Sequence, residues 1–391
     1  MRIGLDCRPL QTTSGVRGIG AYVRQLAAEL IKILPDGDIL RPILWSGKDG
    51  EKKFLSPEDL PEQLKSQALY IQAPQWGKMQ WLADSLNASV WKQTASEIDL
   101  IHFTSPFELD MGIPNAVLPV PKIVTLHDLM SITHADILLT GKYKLLKPVF
   151  RYMAKMLKHA DMLICVSRHT QEEMKRLLAP QIPNSALVLQ GAGAQFVPAE
   201  PEETARVIRK YCLPQRFMLF LGGLSATKNL PALLKALSIC PELPKLAIAG
   251  AARQQDIEAM RRQFPNSDAL WLGKIPEEDI VPLYSAALLY VMPSLAEGFG
   301  LPLAEAMACG TPPACSNRPP LTEVVQDAAF LFDPENPENI AQTLRQAADS
   351  PEERKHKMEL GLKIAEKLRF SQTASATLAV YRTVLSQHKK P

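Results

Sequence analysis

Residues 286–312 carry the pattern that most restricts what this chain can fold into. An uninterrupted apolar run, Ala286-Ala287-Leu288-Leu289-Tyr290-Val291-Met292, stops at Pro293 and reads as a strand buried on both faces. A glycine-bearing loop follows, then a helix with Pro302 in its first turn and Gly310 at its end. Strands buried on both faces belong to parallel sheets with helices packed on each side. Similar runs at 3–7, 99–103, 122–126, 162–167, 216–221, 246–250 and 270–273, with helical stretches between them, predict an α/β protein. At 391 residues the chain exceeds one typical domain, so two are expected. The passage between them is expected over 198–214, where Pro198, Pro201 and Pro214 flank a charged helix.

Composition removes several classes. An apolar content of 46% supplies two cores and argues against extensive disorder. A net charge of +3 gives no ground for nucleic-acid binding. The six cysteines show neither Cys-x-x-Cys nor short metal-ligand spacing, and so read as buried apolar groups in a reducing compartment. Met1-Arg2 runs directly into a strand and no stretch of 18 apolar residues occurs, so a cytoplasmic protein without leader or membrane span is expected.

The chemistry concentrates in three loops. After the strand at 286–292, the loop and helix start aim backbone N–H groups and a positive helix end at one place, which suits phosphate. Two carboxylates flank it, Glu297 in the loop and Glu305 in the helix. Carboxylates beside an anion site make sense as acceptors from neutral hydroxyls, those of a sugar and a ribose; the plainer alternative is an ordinary βα unit with a solvated Glu305. Gly222-Gly223-Leu224-Ser225-Ala226-Thr227-Lys228-Asn229 places glycines, a hydroxyl and a lysine before a helix from about 230, a second diphosphate-binding arrangement. Its order is not that of a P-loop. The third loop, Ser14-Gly15-Val16-Arg17-Gly18-Ile19-Gly20, precedes a helix over 19–34 and lacks the dinucleotide pattern Gly-x-Gly-x-x-Gly. Asp6 and Arg8, at the end of the first strand, read as a local pair that shapes this loop. His127-Asp128 ends the strand at 122–126, where open α/β sheets present ligand-binding groups. Residues 35–97 look irregular apart from a helix over 79–94, and a loop at 104–119 follows the strand at 99–103.

The segment from Glu297 to Pro312, continued by Asn317, Glu323-Val324 and Asp327-Ala328-Ala329, resembles the glutamate-x7-glutamate signature of retaining, nucleotide-sugar-dependent glycosyltransferases of family four. The resemblance is strong over 216–335 and mainly topological before that. It implies the GT-B fold, two doubly wound Rossmann-like domains facing a central cleft. The expected boundaries are 1–198 for an acceptor-binding domain, 199–370 for a nucleotide-sugar domain, and 371–391 for a helix crossing back to the first. It further implies that Glu297 contacts the donor sugar, that Glu305 holds the ribose, and that the amides of Gly298, Phe299, Gly300 and Leu301 meet sugar and pyrophosphate. Gly18 and Gly20 would approach the donor, and Gly223, Ser225 and Lys228 its diphosphate. The backbone at Lys274 and Ile275 would read the base, and His127 would orient sugar and acceptor, with Asp128 and His134 as weaker candidates. His127, Glu297 and Lys228 are thus the expected catalytic residues. One departure stands out: the family's phosphate-binding arginine is absent, since Gly223 and Thr227 occupy its two usual positions, and Arg17 and Arg318 are the candidates to replace it.

The reading is therefore a hexosyltransferase acting on a carbohydrate or lipid-linked acceptor in polysaccharide, lipopolysaccharide or glycolipid synthesis. GDP-mannose is the first-choice donor, and UDP-glucose or UDP-N-acetylglucosamine the next. No cofactor or metal is expected, the sequence being read as without an Asp-x-Asp signature and Lys228 with backbone amides taking that role. A non-catalytic nucleotide-sugar binder, or a slow enzyme, is the alternative that the missing arginine raises. Finally, Lys142, Lys144, Lys147, Arg151, Lys155 and Lys158 fall at helical spacing among apolar residues over 142–159. This predicts either a basic amphipathic helix on an anionic membrane surface, and so a peripheral place on the inner membrane face, or a packed helix with a solvated basic side.

Overall fold

The computed structural model describes residues 1–16, 18–46, 60–72, 88–108, 118–180 and 184–388. The chain divides into two compact units, one of Met1–Ala135, Leu139–Leu189 and Phe370–Pro391, the other of Asp136–Leu138 and Gln190–Arg369.

The N-terminal unit is built on seven parallel strands: β1 (Arg2–Asp6), β2 (Ile39–Ser46), β3 (Leu69–Gln72), β4 (Leu100–Phe103), β5 (Lys122–Leu126), β6 (Met162–Cys165) and β7 (Ser185–Leu187). They lie in the order β3-β2-β1-β4-β5-β6-β7, so the chain reverses its direction of travel between β1 and β4. β4, β5 and β6 are buried along their whole length, as their apolar runs require. The strands β2 and β3 correct the reading of 35–97 as irregular. Pro42 disguises β2, because proline removes a ladder donor; here it precedes the first β2–β3 pair, Ile43↔Leu69. Of the helix expected over 79–94, Ala88–Ser96 is helical and 79–87 lies outside the described residues.

One face of this sheet is covered by the helix Gly18–Ile33 through Tyr22, Val23, Leu26, Ala27 and Leu30. Beside it packs the last helix, Phe370–His388, through Phe370, Ala374, Leu378, Tyr381 and Val384. Trp91, Leu129, Leu157 and Met174 cover the other face. A polar chain runs through the first core: His102 Nδ1 to the Tyr381 hydroxyl at 2.6 Å, His102 Nε2 to Thr125 Oγ1 at 2.7 Å, and Thr125 Oγ1 to the Tyr22 hydroxyl at 3.0 Å. All four residues are buried, so losing any one partner strands a polar group, at about 1–3 kcal/mol. The C-terminal helix is thus held by hydrogen bonding as well as by apolar contact. The continuous helix expected over 142–159 is instead three pieces: 3-10 turns at Gly141–Leu146 and Leu157–His159 around an α-helix at Lys147–Met156, with Pro148 in its first turn.

The second unit has six parallel strands: β8 (Phe217–Leu221), β9 (Lys245–Ala249), β10 (Ala269–Gly273), β11 (Leu289–Met292), β12 (Pro313–Ser316) and β13 (Phe330–Phe332). Their order β10-β9-β8-β11-β12-β13 places the reversal between β8 and β11. Helices Leu230–Ile239 and Pro337–Asp349 close one face around Leu233, Leu234, Ile340 and Leu344. Asp279, fully buried, joins helix Glu277–Ala286 to helix Pro201–Lys210 by accepting from Arg206 at 2.7 Å, Lys210 at 2.5 Å and the Tyr211 hydroxyl at 2.6 Å. Burial alone would raise its pKa, but these donors bring it down to about 2.

Burial holds the His102 pKa down at about 3 and that of His127 at about 4. Both therefore stay neutral in the folded state while the unfolded chain takes up protons below pH 6.5. Stability is expected to be fully present above pH 6.5 and to fall by about 1.4 kcal/mol per pH unit for each histidine as pH drops toward 4. Denaturant titrations across that range check this, and His102→Asn should reduce the slope.

Candidate functional site

In open α/β sheets, groups for binding gather outside the carboxyl ends of the strands, where strand order reverses. In the C-terminal unit that place lies between β8 and β11. The loop after β8 passes through Gly222 and Gly223 into a 3-10 turn, Ala226–Lys228, and Asn229 at φ +53° starts the next helix. The loop after β11 is tied to it by Leu295 N–H donating to the Thr227 carbonyl at 2.8 Å. Across this tie the Lys228 ammonium meets Glu297 Oε1 at 2.8 Å, both side chains largely buried. Gly300 then turns the chain into helix Leu301–Ala308 at φ +104°, a conformation that favours glycine, and a Cβ there would also press on the end of the Leu321 side chain at 2.7 Å. Phe299 is buried beneath the turn.

Glu305 is reached through two tyrosines that the sequence reading did not single out. The Tyr284 hydroxyl donates to Glu305 Oε2 at 3.1 Å, and Tyr290 of β11 packs edge-on to Tyr284 with ring centroids 5.3 Å apart. Desolvation pushes the Glu305 carboxyl up to about 7, against the pull of the Tyr284 hydrogen bond. Tyr290, whose phenol is raised first by burial, feels the charge of both Glu305 and Glu297 and so marks the ground between them. Its place in the apolar run 286–292 was the available signal, read only as core.

Of the other expected donor residues, Ser225 shares a 3.2 Å hydrogen bond with Thr227 inside the same loop. Lys274, exposed, and Ile275 follow β10 at the same end of the sheet, two strands from β8. The two positions for the missing arginine differ. Thr227 is buried, whereas a Cβ on Gly223 would meet nothing within 4 Å. Arg318 is held by Glu335, with Asp333 4.0 Å away, and Arg17 lies outside the described residues.

The N-terminal unit repeats the arrangement between β1 and β4. Asp6 and Arg8 form a buried pair at 2.7 and 2.8 Å, with the guanidinium over Trp91 at 4.8 Å, and Thr104 donates to the Asp6 carbonyl at 2.7 Å. Glu108, also missed by the sequence reading, accepts from Ser14 at 2.9 Å and from Ser105 at 3.1 Å, joining the loops after the two strands. His127 donates from Nε2 to the Thr104 carbonyl at 2.9 Å, which fixes its neutral tautomer with Nδ1 as acceptor. Asp128 accepts from Met130 N–H and His134 meets Thr133, both local contacts. A Cβ on Gly20 would lie 2.0 Å from the Gly15 carbonyl, so this glycine permits a close backbone approach, while Gly18 is exposed with open space around it. Gly18, Gly20 and His127 therefore belong to one unit, and the remaining expected site residues to the other. Contrary to the reading of the sequence, Asp36-Gly37-Asp38 does have Asp-x-Asp spacing. It forms the turn before β2, at the amino ends of the strands, and Asp38 pairs with the N-terminal ammonium.

Residues 202–361 match the model of the glycosyl transferases group 1, and residues 16–185 that of glycosyltransferase family 4. The chain belongs to this glycosyltransferase family. It is 30% identical over 244 residues to the O-antigen chain mannosyltransferase B of Escherichia coli, a match covering 59% of this chain and 64% of that relative's length. Among solved structures it superposes on sucrose-phosphate synthase from Thermosynechococcus elongatus with a TM-score of 0.78 at 19% identity, over 99% of this chain and 100% of the other. HepE of Anabaena, solved in complex with UDP and glucose, superposes with a TM-score of 0.74 at 18% identity, over 99% and 100% of the two chains. Both share the GT-B fold with this chain. No helix among its described residues is long and apolar enough to cross a membrane.

The two glycines of the donor-side loops should separate in stability. Gly300→Ala is expected to cost about 1–3 kcal/mol through backbone strain and the Leu321 contact. Gly223→Ala should stay within about 0.5 kcal/mol. Melting curves of the two variants check the contrast.

Proposed function

We propose that the protein transfers a hexosyl group from a nucleoside diphosphate sugar to an acceptor hydroxyl with retention at the anomeric carbon and no resident metal ion. The observation that carries this is the Lys228–Glu297 pair at the β8/β11 reversal, within the family's two signature loops. In the reaction the bond between the anomeric carbon and the diphosphate oxygen breaks and one to the acceptor oxygen forms. The acceptor's proton leaves with the diphosphate or to solvent. Negative charge grows on the departing diphosphate, and Lys228 with the amides of 298–301 stabilises it. Glu297, which holds the ammonium in the free protein, accepts from sugar hydroxyls once the donor enters. Covalent catalysis by paired carboxylates needs both groups astride one bond, whereas Glu297 is neutralised by Lys228 and Glu305 is backed by tyrosines.

Glu305 accepts from the ribose hydroxyls. On the acceptor side, the His127 imidazole and the Glu108 carboxylate orient hydroxyls without bringing positive charge. Mannose from GDP-mannose is the preferred donor, supported by the mannosyltransferase relative. UDP-glucose is the second reading, supported by the UDP and glucose in the HepE structure. The acceptor is a carbohydrate or lipid-linked glycan of a surface polysaccharide. Gly223, in place of an arginine, favours as the rival a binder that does not turn donor over.

Transfer and donor-hydrolysis assays across GDP- and UDP-sugars decide among these. Lys228→Ala and Glu297→Ala should each lower kcat about 10²–10³-fold. Gly223→Arg, at a position where a Cβ meets nothing within 4 Å, should tighten nucleoside diphosphate binding about tenfold, equivalent to ~1.4 kcal/mol. Binding of donor without turnover under every acceptor condition would replace the enzyme by the binder.

The Glu305 carboxyl, raised to about 7, sets a sign for pH. Its protonated form is favoured in the free fold, so its contribution to stability is present below pH 4.5 and lost as pH rises toward 7. Ribose hydroxyls donate to the ionised form, so nucleotide affinity should rise as pH increases through 7. Calorimetric titrations of wild type and Glu305→Gln should show that increment in wild type alone.

A further inference from the structure

A histidine ring turns about a torsion with broad wells, so one hydrogen bond in its plane does not fix the ring. His127 donates from Nε2 to the Thr104 carbonyl at 2.9 Å, and a second restraint comes from Tyr22. This tyrosine, buried near the start of helix Gly18–Ile33, stands edge-on to the imidazole. The ring centroids are 4.7 Å apart and the planes meet at 86°. A perpendicular ring at that distance blocks the swing that the hydrogen bond allows.

Tyr22 is itself held in place from several sides. Its hydroxyl meets Thr125 Oγ1 at 3.0 Å. Thr125 lies two residues before His127, so both side chains leave the same face of the sheet. Thr125 is anchored in turn to His102, and His102 to Tyr381 of the C-terminal helix. Phe370, at the start of that helix, packs against the Tyr22 ring at 5.7 Å and 64°. The start of helix Gly18–Ile33 is also seated on the loop before it. Gly20 packs closely on the Gly15 carbonyl, which accepts from Arg24 at 2.9 Å. A leucine at position 22 would cover the sheet equally well, but would give neither a hydroxyl to Thr125 nor a ring to His127.

We propose that Tyr22 is a positioning residue for glycosyl transfer: it holds the His127 imidazole in one pose for the hydroxyls of sugar and acceptor, while Thr125 and Phe370 keep the phenol in place. Tyr22 touches no substrate and acts through His127 alone. Its role rests on the reading of His127 as the group that orients hydroxyls.

The test joins NMR of the full chain, labelled with nitrogen-15 at histidine, to kinetics. His127→Asn assigns the His127 signals among the seven histidines. Wild type is expected to show one imidazole state, protonated on Nε2 and slow to exchange that proton. Tyr22→Leu should shift and broaden these signals. It should also lower kcat about tenfold, followed as nucleotide release from GDP-mannose or UDP-glucose with methyl α-mannoside as acceptor. The dissociation constant for GDP or UDP should not move. Tyr22→Phe, which keeps the ring and loses the tie to Thr125, should recover kcat to within about threefold of wild type while still displacing the His127 signals. That displacement decides alone if Tyr22→Leu does not fold or wild type shows no turnover. Tyr381→Phe, at the far end of the same hydrogen-bonded chain, should lower the melting temperature but leave the His127 signals and kcat unchanged. Unmoved His127 signals in both Tyr22 variants, wild-type kcat in a folded Tyr22→Leu, or equal losses from Tyr381→Phe would overturn the proposal. Wild-type kcat in His127→Asn would overturn the reading of His127 and the role of Tyr22 with it.

Discussion

The ion pair between Lys228 and Glu297 is the constraint around which the C-terminal unit is arranged. It spans the reversal of strand order, and it is held to 2.8 Å because the backbones beneath it are already joined, Leu295 N–H to Thr227 O. The left-handed turn at Gly300 sends the chain from the Glu297 loop into the helix that carries Glu305. Tyr290 of β11 lies within the field of both carboxylates. Pairing a lysine with a carboxylate in the free state has a chemical consequence. The pair leaves the loop little net positive charge, and in the proposed reaction hydroxyls of the donor sugar replace the lysine on Glu297 while the ammonium turns to phosphate. An arginine at position 223 would add positive charge to this loop beyond that of Lys228, at a place where a Cβ meets nothing within 4 Å.

The N-terminal unit solves the same topological problem with different chemistry. Its reversal point is bridged by Glu108 between two serines, beside a histidine that burial keeps neutral. A neutral imidazole beside a carboxylate acceptor suits hydroxyl groups rather than phosphate. The C-terminal helix stands against this sheet through Tyr381 and His102, so Phe370–His388 contributes to the first unit's core.

Local pattern and long-range pairing were not equally legible in the sequence. The apolar runs that became β1, β5, β6, β8, β9 and β11 are readable because a strand buried on both faces has one kind of side chain throughout. β2 was hidden by Pro42, and β12 by Pro313 and its small residues Ala314, Cys315 and Ser316, which pack without looking apolar. The break in the basic segment at 141–159 was also hidden, because periodicity does not report where a helix tightens into a 3-10 turn. Within the site, the signature loops were legible and their contacts were not. The Lys228–Glu297, Tyr284–Glu305 and Glu108–Ser14 contacts join residues far apart in the chain, and no spacing rule reaches across them.

The central claim is that Lys228 exchanges Glu297 for a donor phosphate. A crystal structure with an intact GDP- or UDP-sugar bound tests it most directly. The account predicts Lys228 Nζ within ~3 Å of a phosphate oxygen and the ribose hydroxyls on Glu305. A nucleotide bound away from residues 222–229, with the Lys228–Glu297 pair intact, would contradict it.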